Sequence, residues 1–229
     1  MVVSIMQPYF LPYLGYWQLI NASSVFIIFD DVNYIKKGFI DRNTIFFKQE
    51  LKKVKIRIVN ASQNRAINQH EILESPAELM PIIERAYSEY EQYQVVLPIL
   101  RAVLEYPERN LALFVENSIK TLCLYFGIHT RIERSSSFSI SASGKERIIP
   151  LVKGVGGSTY LNMEGGRFMY DKSEFSEAGL DLSFFQPELP GRVFRIPHSN
   201  QPTSIIDLMM RFDSKSLGRL ISLGEVARA

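Results

Sequence analysis

The chain has few of the residues on which several common chemistries depend. Its 229 residues include one cysteine, Cys123, and three histidines. A single cysteine excludes an internal disulfide, and its place in the apolar segment 121–126 predicts a buried, unreactive thiol. No histidine or cysteine has the spacing of a zinc site. Thiol catalysis and a structural zinc are therefore not expected.

Charge is missing from the first part of the chain, where no charged residue precedes Asp30. This uncharged segment lacks the basic residues with which a signal peptide begins. Gln7, Pro8, Pro12 and Asn21 interrupt it well short of the ~20 apolar residues that a membrane helix needs. A single cysteine also suits a reducing compartment. We expect a soluble cytoplasmic protein without membrane insertion.

An excess of either charge is also missing, since 26 basic residues oppose 24 acidic ones for a net charge of +2. The chain therefore lacks the electrostatic footprint of a nucleic-acid-binding protein. It has no repeats, no low-complexity linker, no P-loop spacing and no Gly-x-Ser-x-Gly elbow. Its length and its 46% hydrophobic content suit one domain, residues 1–229, with a sizeable core.

The first 31 residues carry the pattern around which we interpret the rest. An apolar strand over 2–6 ends at Pro8, a helix is predicted over 12–22, and a second strand over 25–29 leads to Asp30 and Asp31. Polar residues at the carboxyl ends of such strands are where open α/β sheets bind ligands. The alternative is that this segment is only the first βαβ unit of a core.

The remaining pattern predicts an α/β fold. Helices predicted over 75–90, 95–105 and 110–126, with a break or kink at Pro98, form a helical insertion or cap at about 70–127. Before them, 44–48 and 54–59 are predicted as a hairpin, and His70 as a solvated loop residue. After them, strands alternate with helices, which favours a parallel sheet. We predict a Rossmann-like three-layer arrangement with a largely parallel sheet.

An ordered set of short motifs resembles the WbqC-like family of bacterial proteins. Segment 7–16 has the pattern Gln-Pro-x-x-Leu-Pro-aromatic-Leu-Gly-aromatic, and the likeness continues through 26–32, Lys36-Lys37, Arg42-Asn43, 160–166, Tyr170 and 204–207. The resemblance implies a transferase of O-antigen and lipopolysaccharide biosynthesis that moves an aminoacyl or acyl group onto an amino sugar. Many members carry His where Met6 stands and Asn where Tyr9 stands, so the first motif supplies no imidazole here.

Three residues are our candidates for catalysis. Asp30 and Asp31 follow a buried strand, and a carboxylate there can accept a proton from an attacking amine, bind hydroxyls or hold a divalent ion. Neighbouring strand residues point to opposite faces, so we assign contact to Asp31 and support to Asp30. A solvated turn is the alternative. His198 is the best imidazole for acid–base work, while Ser204 is predicted as a helix cap rather than a nucleophile.

The predicted substrate-binding residues come from the first motif and from the 160–170 region. Basic side chains can hold a diphosphate, glycines let a backbone approach a ligand, and tyrosine rings can cover a sugar face. The set is Gln7, Tyr9, Tyr13, Lys37, Arg42, Asn43, Tyr160, Asn162, Glu164, Gly165, Gly166 and Tyr170. Ser135–Ser137 with Gly144, Lys145 and Arg147 could form a phosphate cradle or an ordinary βα loop. We expect no metal site and no bound cofactor, although magnesium held by a substrate diphosphate stays an alternative.

We expect the binding pocket above the carboxyl ends of the strands, between the first motif and the 160–166 loop. The leading function is transfer of an aminoacyl or acyl group to the amine of a nucleotide-linked deoxyamino sugar. The sequence leaves the donor open between an acyl carrier protein, coenzyme A and another carrier. One alternative is a nucleotidyltransferase of the cytidylyltransferase type, although the signature histidines are missing and Tyr16 stands where the second would be. The other is a noncatalytic sugar-nucleotide-binding protein.

Overall fold

A computed structural model describes residues 1–48, 50–189 and 203–229. The strands are β1 (Val2–Met6), β2 (Val25–Ile28), β3 (Arg42–Phe47), β4 (Glu50–Lys55), β5 (Arg131–Arg134), β6 (Thr159–Met163), β7 (Asp181–Gln186) and β8 (Glu225–Arg228). The α-helices are α1 (Leu14–Asn21), α2 (Met80–Tyr87), α3 (Tyr93–Leu104), α4 (Leu111–Phe126), α5 (Ile148–Gly154), α6 (Lys172–Glu177), α7 (Ile206–Met209) and α8 (Ser214–Ile221).

Six strands form one sheet in the order β5-β2-β1-β6-β7-β8, and only β8 runs antiparallel to its neighbour. The central strand β1 pairs in parallel with β2 through Val3 and Val25, and with β6 through Val3 and Tyr160. The chain therefore leaves β1 toward one edge and later returns on its other side. This change of direction between β1 and β6 is the topological switch point, where an open α/β sheet has a crevice.

Two apolar cores cover opposite faces of the sheet. Val3 and Ile5 of β1 pack in one core with Leu151 of α5 and Phe175 of α6. Phe26 and other alternate residues of the strands face a larger core built with α1, α3, α4, α7 and α8. Successive strand residues point to opposite faces, so one apolar strand can supply both cores. The predicted Rossmann-like three-layer arrangement with a largely parallel sheet is confirmed.

Helix α1 lies within the larger core, and seven of its eight residues are buried. The turn before it contains Leu11 with φ +46°, a left-handed conformation that is unfavourable for leucine. The buried amide of Asn43 stabilises this turn because it donates to the carbonyls of Phe10 and Leu11. The Trp17 indole closes the first turn by donating to the Pro12 carbonyl at 3.0 Å.

Several local predictions are corrected by the structure. Helix α3 continues through Pro98 without a break, because its apolar side holds it against the core. The second hairpin strand is β4 at 50–55 rather than 54–59. His70 is fully buried rather than solvated: its Nδ1 lies 2.8 Å from the Ala66 carbonyl, and its Nε2 accepts from the Ser62 amide at 3.1 Å.

Helix α4 begins and ends where the sequence indicates. The Asn110 side chain accepts from the amides of Ala112 and Leu113, and Gly127 ends the helix with φ +70°. Within the described ranges, no helix combines the length and apolar character needed to cross a bilayer. Helices α2, α3 and α4 follow one another between β4 and β5, and the proposed insertion at 70–127 stays a prediction.

Candidate functional site

A cavity of about 1050 Å³ opens at the switch point, above the carboxyl ends of β1 and β6. Met6, Gln7 and Pro8 border it at the end of β1, and the chain from Asn162 to Gly166 borders it at the end of β6. This is the place where we expect a pocket. The rest of its wall includes Tyr9, Tyr13, Tyr16, Phe29, Ile35, Phe39, Lys145, Met169, Tyr170 and Gln186.

One wall of the cavity is aromatic. The Tyr9 ring stacks on Phe39 with the centroids 4.8 Å apart and 6° between the planes. Its centroid also lies 6.1 Å from that of Tyr13 and 5.7 Å from that of Tyr16. Burial raises the pKa of Tyr9 and of Tyr13 above the ordinary value, so both phenols are neutral near pH 7. They offer ring faces and hydroxyls rather than bases.

Tyr16 stands where a cytidylyltransferase signature would carry its second histidine. It is buried, and its hydroxyl donates to the Gln7 carbonyl at 3.0 Å. Burial raises its pKa well above the ordinary value. This hydrogen bond holds the first motif against α1. A neutral tyrosine at this position provides no cation to bind a phosphate.

The opposite wall carries the buried polar side chain Asn162, which is 6% exposed. Its carboxamide borders the cavity, and no other described residue hydrogen-bonds to it. A methyl group at Gly166 would overlap its Nδ2, so glycine there leaves the space that the amide occupies. Because Asn162 borders the cavity and its carboxamide can both donate and accept hydrogen bonds, it is suited to bind a polar ligand group.

Glu164 supplies a carboxylate to the same wall. Arg167 binds it with two nitrogens, at 2.6 and 2.9 Å, while the Arg167 guanidinium also lies 4.2 Å from the centroid of the Phe184 ring. The hydrogen bonds and the charge of Arg167 lower the pKa of Glu164. Glu164 is therefore an anion near neutral pH, and a cationic ligand group would share its carboxylate with Arg167.

Tyr170 borders the cavity, whereas Tyr160 lies behind it and is fully buried. The Tyr160 hydroxyl donates to the Tyr170 hydroxyl at 3.2 Å, and the Tyr160 ring stacks on Phe175 with the centroids 5.5 Å apart. Burial raises the pKa of Tyr160 well above its usual range. Tyr160 therefore supports Tyr170.

Asp30 is fully buried in a network at the ends of β2 and β5. Its carboxylate accepts from the Ser136 amide at 3.0 Å, from the Ser136 hydroxyl at 2.7 Å and from the Ser135 hydroxyl at 3.1 Å. Arg134 lies 3.9 Å away. These contacts join two neighbouring strand ends, and the carboxylate has no described opening to the cavity.

Asp31 forms an ion pair with Arg147, with 2.6 Å between Oδ1 and Nη1, and accepts from the Ser135 hydroxyl. Burial would raise the pKa of Asp31, but the hydrogen bonds from Arg147 and Ser135 and the charge of Arg147 outweigh it and lower the pKa. A carboxylate that holds its proton so weakly is a poor base at neutral pH. The catalytic roles of Asp30 and Asp31 stay predictions.

The other predicted site residues lie apart from the described cavity wall. Lys37 is exposed beside it, Arg42 pairs with Asp41 at 2.8 Å, and Asn43 supports the turn before α1. His198 lies outside the described residues, so its role stays a prediction. Ser204 is buried and donates to the Leu11 carbonyl at 2.9 Å, a contact that anchors the tail to the first motif.

Comparison of the sequence with known proteins identifies a family. The model of the WbqC-like protein family matches residues 7–218. The chain belongs to the WbqC-like family. It is also 26% identical over 187 residues to Uncharacterized protein Rv1507c of Mycobacterium tuberculosis (strain ATCC 25618 / H37Rv), covering 80% of this chain and 81% of that protein. No solved structure matches it significantly.

Several wall residues of this WbqC-like protein were not identified from the sequence, among them Phe29, Phe39, Met163, Met169 and Gln186. The sequence pattern could have indicated two of them. Phe29 directly follows β2, Gln186 is the last residue of β7, and these strands neighbour β1 and β6. The sequence of the 35–39 loop has no periodic pattern, so it does not predict that Phe39 lines the cavity. In the described part of the chain, no group of three or more His, Cys, Asp or Glu residues is placed to hold a metal ion.

Proposed function

We propose that this WbqC-like protein transfers an aminoacyl or acyl group to the amine of a nucleotide-linked deoxyamino sugar during surface-polysaccharide biosynthesis. The observation that carries the proposal is the combination, in one cavity, of aromatic faces, the buried Asn162 amide and the Glu164 carboxylate. Aromatic faces suit the apolar side of a sugar ring, the amide suits a hydroxyl or carbonyl, and the carboxylate suits an ammonium.

The size of the cavity supports a reaction of two substrates. Ligand pockets commonly measure about 300–1,000 Å³, and this one is about 1050 Å³. A hexose ring and the acyl end of a donor fit together in such a volume. The donor stays open between an acyl carrier protein, coenzyme A and another carrier.

In the proposed reaction, the sugar amine attacks the acyl carbonyl of the donor. A carbon–nitrogen bond forms, the bond between the carbonyl carbon and the donor's leaving atom breaks with its electron pair, and the amine proton passes to a base. The Asn162 amide can donate to the oxygen of the tetrahedral intermediate. We propose His198 as the base rather than Asp31, because Arg147 and Ser135 keep Asp31 ionised and out of the described wall.

A thermal-shift screen with nucleotide-linked amino sugars tests the proposal. A ligand at 100 times its Kd should stabilise the protein by about 2.7 kcal/mol. The N-acetylated form of the same sugar nucleotide is the control ligand, because it has no ammonium for Glu164. Glu164→Gln should abolish the preference for the free amine. Stabilisation by nucleoside triphosphates alone would contradict the proposal and favour a nucleotidyltransferase.

A second candidate is a noncatalytic sugar-nucleotide-binding protein. It is favoured by the described cavity wall, which contains no histidine or cysteine, the side chains that most often titrate or react near neutral pH. Incubation of the protein with amino-sugar nucleotide and radiolabelled acyl donors separates the two. N-acylated product that disappears in His198→Ala, while sugar binding persists, supports the transferase. Binding without product from any donor supports the second candidate.

A further inference from the structure

Exposed apolar side chains lie at the mouth of the cavity, on the 35–39 loop and on the 3₁₀ helix Glu164–Met169. Ile35 and Phe39 are 44% and 45% exposed, and Phe168 and Met169 are 86% and 49% exposed. We call these four residues the apolar rim. Ile35, Phe39 and Met169 also line the cavity, so the apolar surface continues from the cavity to the outside. A group of exposed apolar residues at one opening, unlike scattered single ones, indicates an interaction surface.

The charge at the rim is positive. Lys36 and Lys37 lie between Ile35 and Phe39, both are exposed, and neither pairs with an acidic side chain in the described ranges. Two ion pairs lie near the mouth, since Arg167 binds Glu164 and the Lys145 ammonium lies 3.4 Å from Glu174. The exposed acidic residues Glu146, Asp171 and Glu188 each follow or precede a wall residue in the sequence, and they form no ion pair in the described ranges. The two lysines are the cationic groups that an anionic surface would meet on the 35–39 side of the rim.

We propose that the apolar rim docks on an anionic lipid bilayer, with the mouth of the cavity facing the headgroups. Aromatic and aliphatic side chains on loop tips enter the boundary between headgroups and acyl chains, and nearby lysines are attracted to anionic lipids. A ligand carried by a lipid would then pass from the bilayer into the cavity beside the apolar side chains of Ile35, Phe39 and Met169.

The position of the rim favours a bilayer over a protein partner. Ile35, Phe39 and Met169 line the cavity itself, so a protein that buried them would cover the route by which a ligand enters. A fluid bilayer covers the rim and still allows exchange. The inference goes beyond the proposed function, because it needs neither an amino sugar nor an acyl donor.

Flotation of the purified full chain with vesicles tests the proposal. We expect binding to phosphatidylcholine vesicles that contain phosphatidylglycerol, weaker binding to phosphatidylcholine alone, and loss of binding as the salt concentration rises. Lys36→Gln with Lys37→Gln should weaken binding about fivefold for each lysine. Phe168→Ser should weaken vesicle binding by about fivefold or more, because serine lacks the aromatic ring that is removed from water when the protein binds the bilayer.

The chain offers a matched control for each change. Lys52→Gln with Lys53→Gln removes two exposed lysines from β4, away from the cavity. Leu124→Ser removes an apolar side chain that is 83% exposed on α4 and outside the cavity wall. Both controls should bind vesicles like the unmodified protein. Circular dichroism and thermal unfolding should show that all four variants fold.

Three results would overturn the proposal. The first is no binding of the unmodified chain to anionic vesicles. The second is equal weakening by the rim variants and by their controls, which would indicate nonspecific adsorption. The third is binding of an acidic acyl carrier protein that depends on Lys36, Lys37 and Phe168 while vesicles are ignored, which would assign the rim to a protein. No sugar ligand is used, so failure here leaves the proposed function untouched.

Discussion

At the scale of single residues, the pair formed by Asn162 and Gly166 decides what the cavity can bind. The amide is buried without a described partner, and it fits only because residue 166 has no side chain. A polar ligand group that reaches this part of the cavity wall can therefore form a hydrogen bond with the amide. Hydrogen bonds of this kind contribute about 0.5–1.5 kcal/mol each.

We predict that Gly166→Ala lowers ligand affinity by about tenfold, which corresponds to about 1.4 kcal/mol, because the new methyl group pushes the Asn162 amide out of place. The measurement is titration with the amino-sugar nucleotide found by the thermal-shift screen. Gly165→Ala is the matched control, since a methyl group there meets nothing within 4 Å. Equal affinities of the two variants would show that Asn162 does not contact the ligand.

The sequence allowed part of the cavity wall to be predicted residue by residue. Gln7 and Tyr9 follow the end of β1, Asn162 lies in the last part of β6, and all three border the cavity. The setting of Asp30 could not be predicted, because its partners Ser135 and Ser136 belong to another strand end more than 100 residues later. Only the sheet order brings these groups together.

At the scale of elements, α1 and α8 give a direct comparison of two helical glycines. A Cβ at Gly15 would lie 2.6 Å from the Tyr13 ring and 3.0 Å from Pro187 Cβ, whereas a Cβ at Gly218 would meet nothing within 4 Å. Glycine in a helix interior normally destabilises by roughly 0.5–1 kcal/mol relative to alanine. In α1 the close approach of Tyr13 and Pro187 reverses that preference.

We predict that Gly15→Ala destabilises the protein by about 1–3 kcal/mol through overpacking, while Gly218→Ala stabilises it by about 0.5–1 kcal/mol. Urea unfolding with a constant m value measures both changes. Because Tyr13 lines the cavity, Gly15→Ala should also weaken ligand binding, and Gly218→Ala should not. A stabilising Gly15→Ala would contradict the packing of Tyr13 on α1.

Long periodic elements were predictable, and short exposed ones were not. The bounds of α4 follow from its apolar period and from its caps at Asn110 and Gly127. Strand β8 has four exposed residues, and only its pairing with β7 makes it a strand. The hairpin strand β4 was misplaced because the alternation of 54–59 is local, whereas the pairing of Arg42 with Lys55 fixes the register.

At the scale of the whole molecule, Asp207 joins three parts of the chain. Its buried carboxylate accepts from the Tyr87 hydroxyl of α2 and from the Phe46 amide of β3 at 3.1 Å. Burial raises its pKa above 3.8, although the hydrogen bonds from Tyr87 and its neighbours oppose that effect. The folded protein therefore binds this proton more readily than the unfolded chain does.

A raised carboxyl pKa gives stability that is present at acidic pH and is lost as the pH rises past 3.8 toward the folded value. We predict that Asp207→Asn, which keeps an oxygen for Tyr87, gains stability over the unmodified protein as the pH rises from 3 to 7. Urea unfolding across this range measures it. Asp213, whose pKa is lowered by hydrogen bonds from Ser216, should give the opposite trend in Asp213→Asn. A pH-independent difference for Asp207→Asn would contradict the raised pKa.

The central place of β1 has a consequence for synthesis of the protein. This strand leaves the ribosome before its neighbour β2, whereas its second neighbour, β6, ends only at Met163. At about 5–20 residues per second, β6 follows β2 by roughly 7–27 s. During that interval an apolar strand edge stays without its partner, so we expect the nascent chain to depend on a ribosome-associated chaperone and to aggregate when translation pauses before β6.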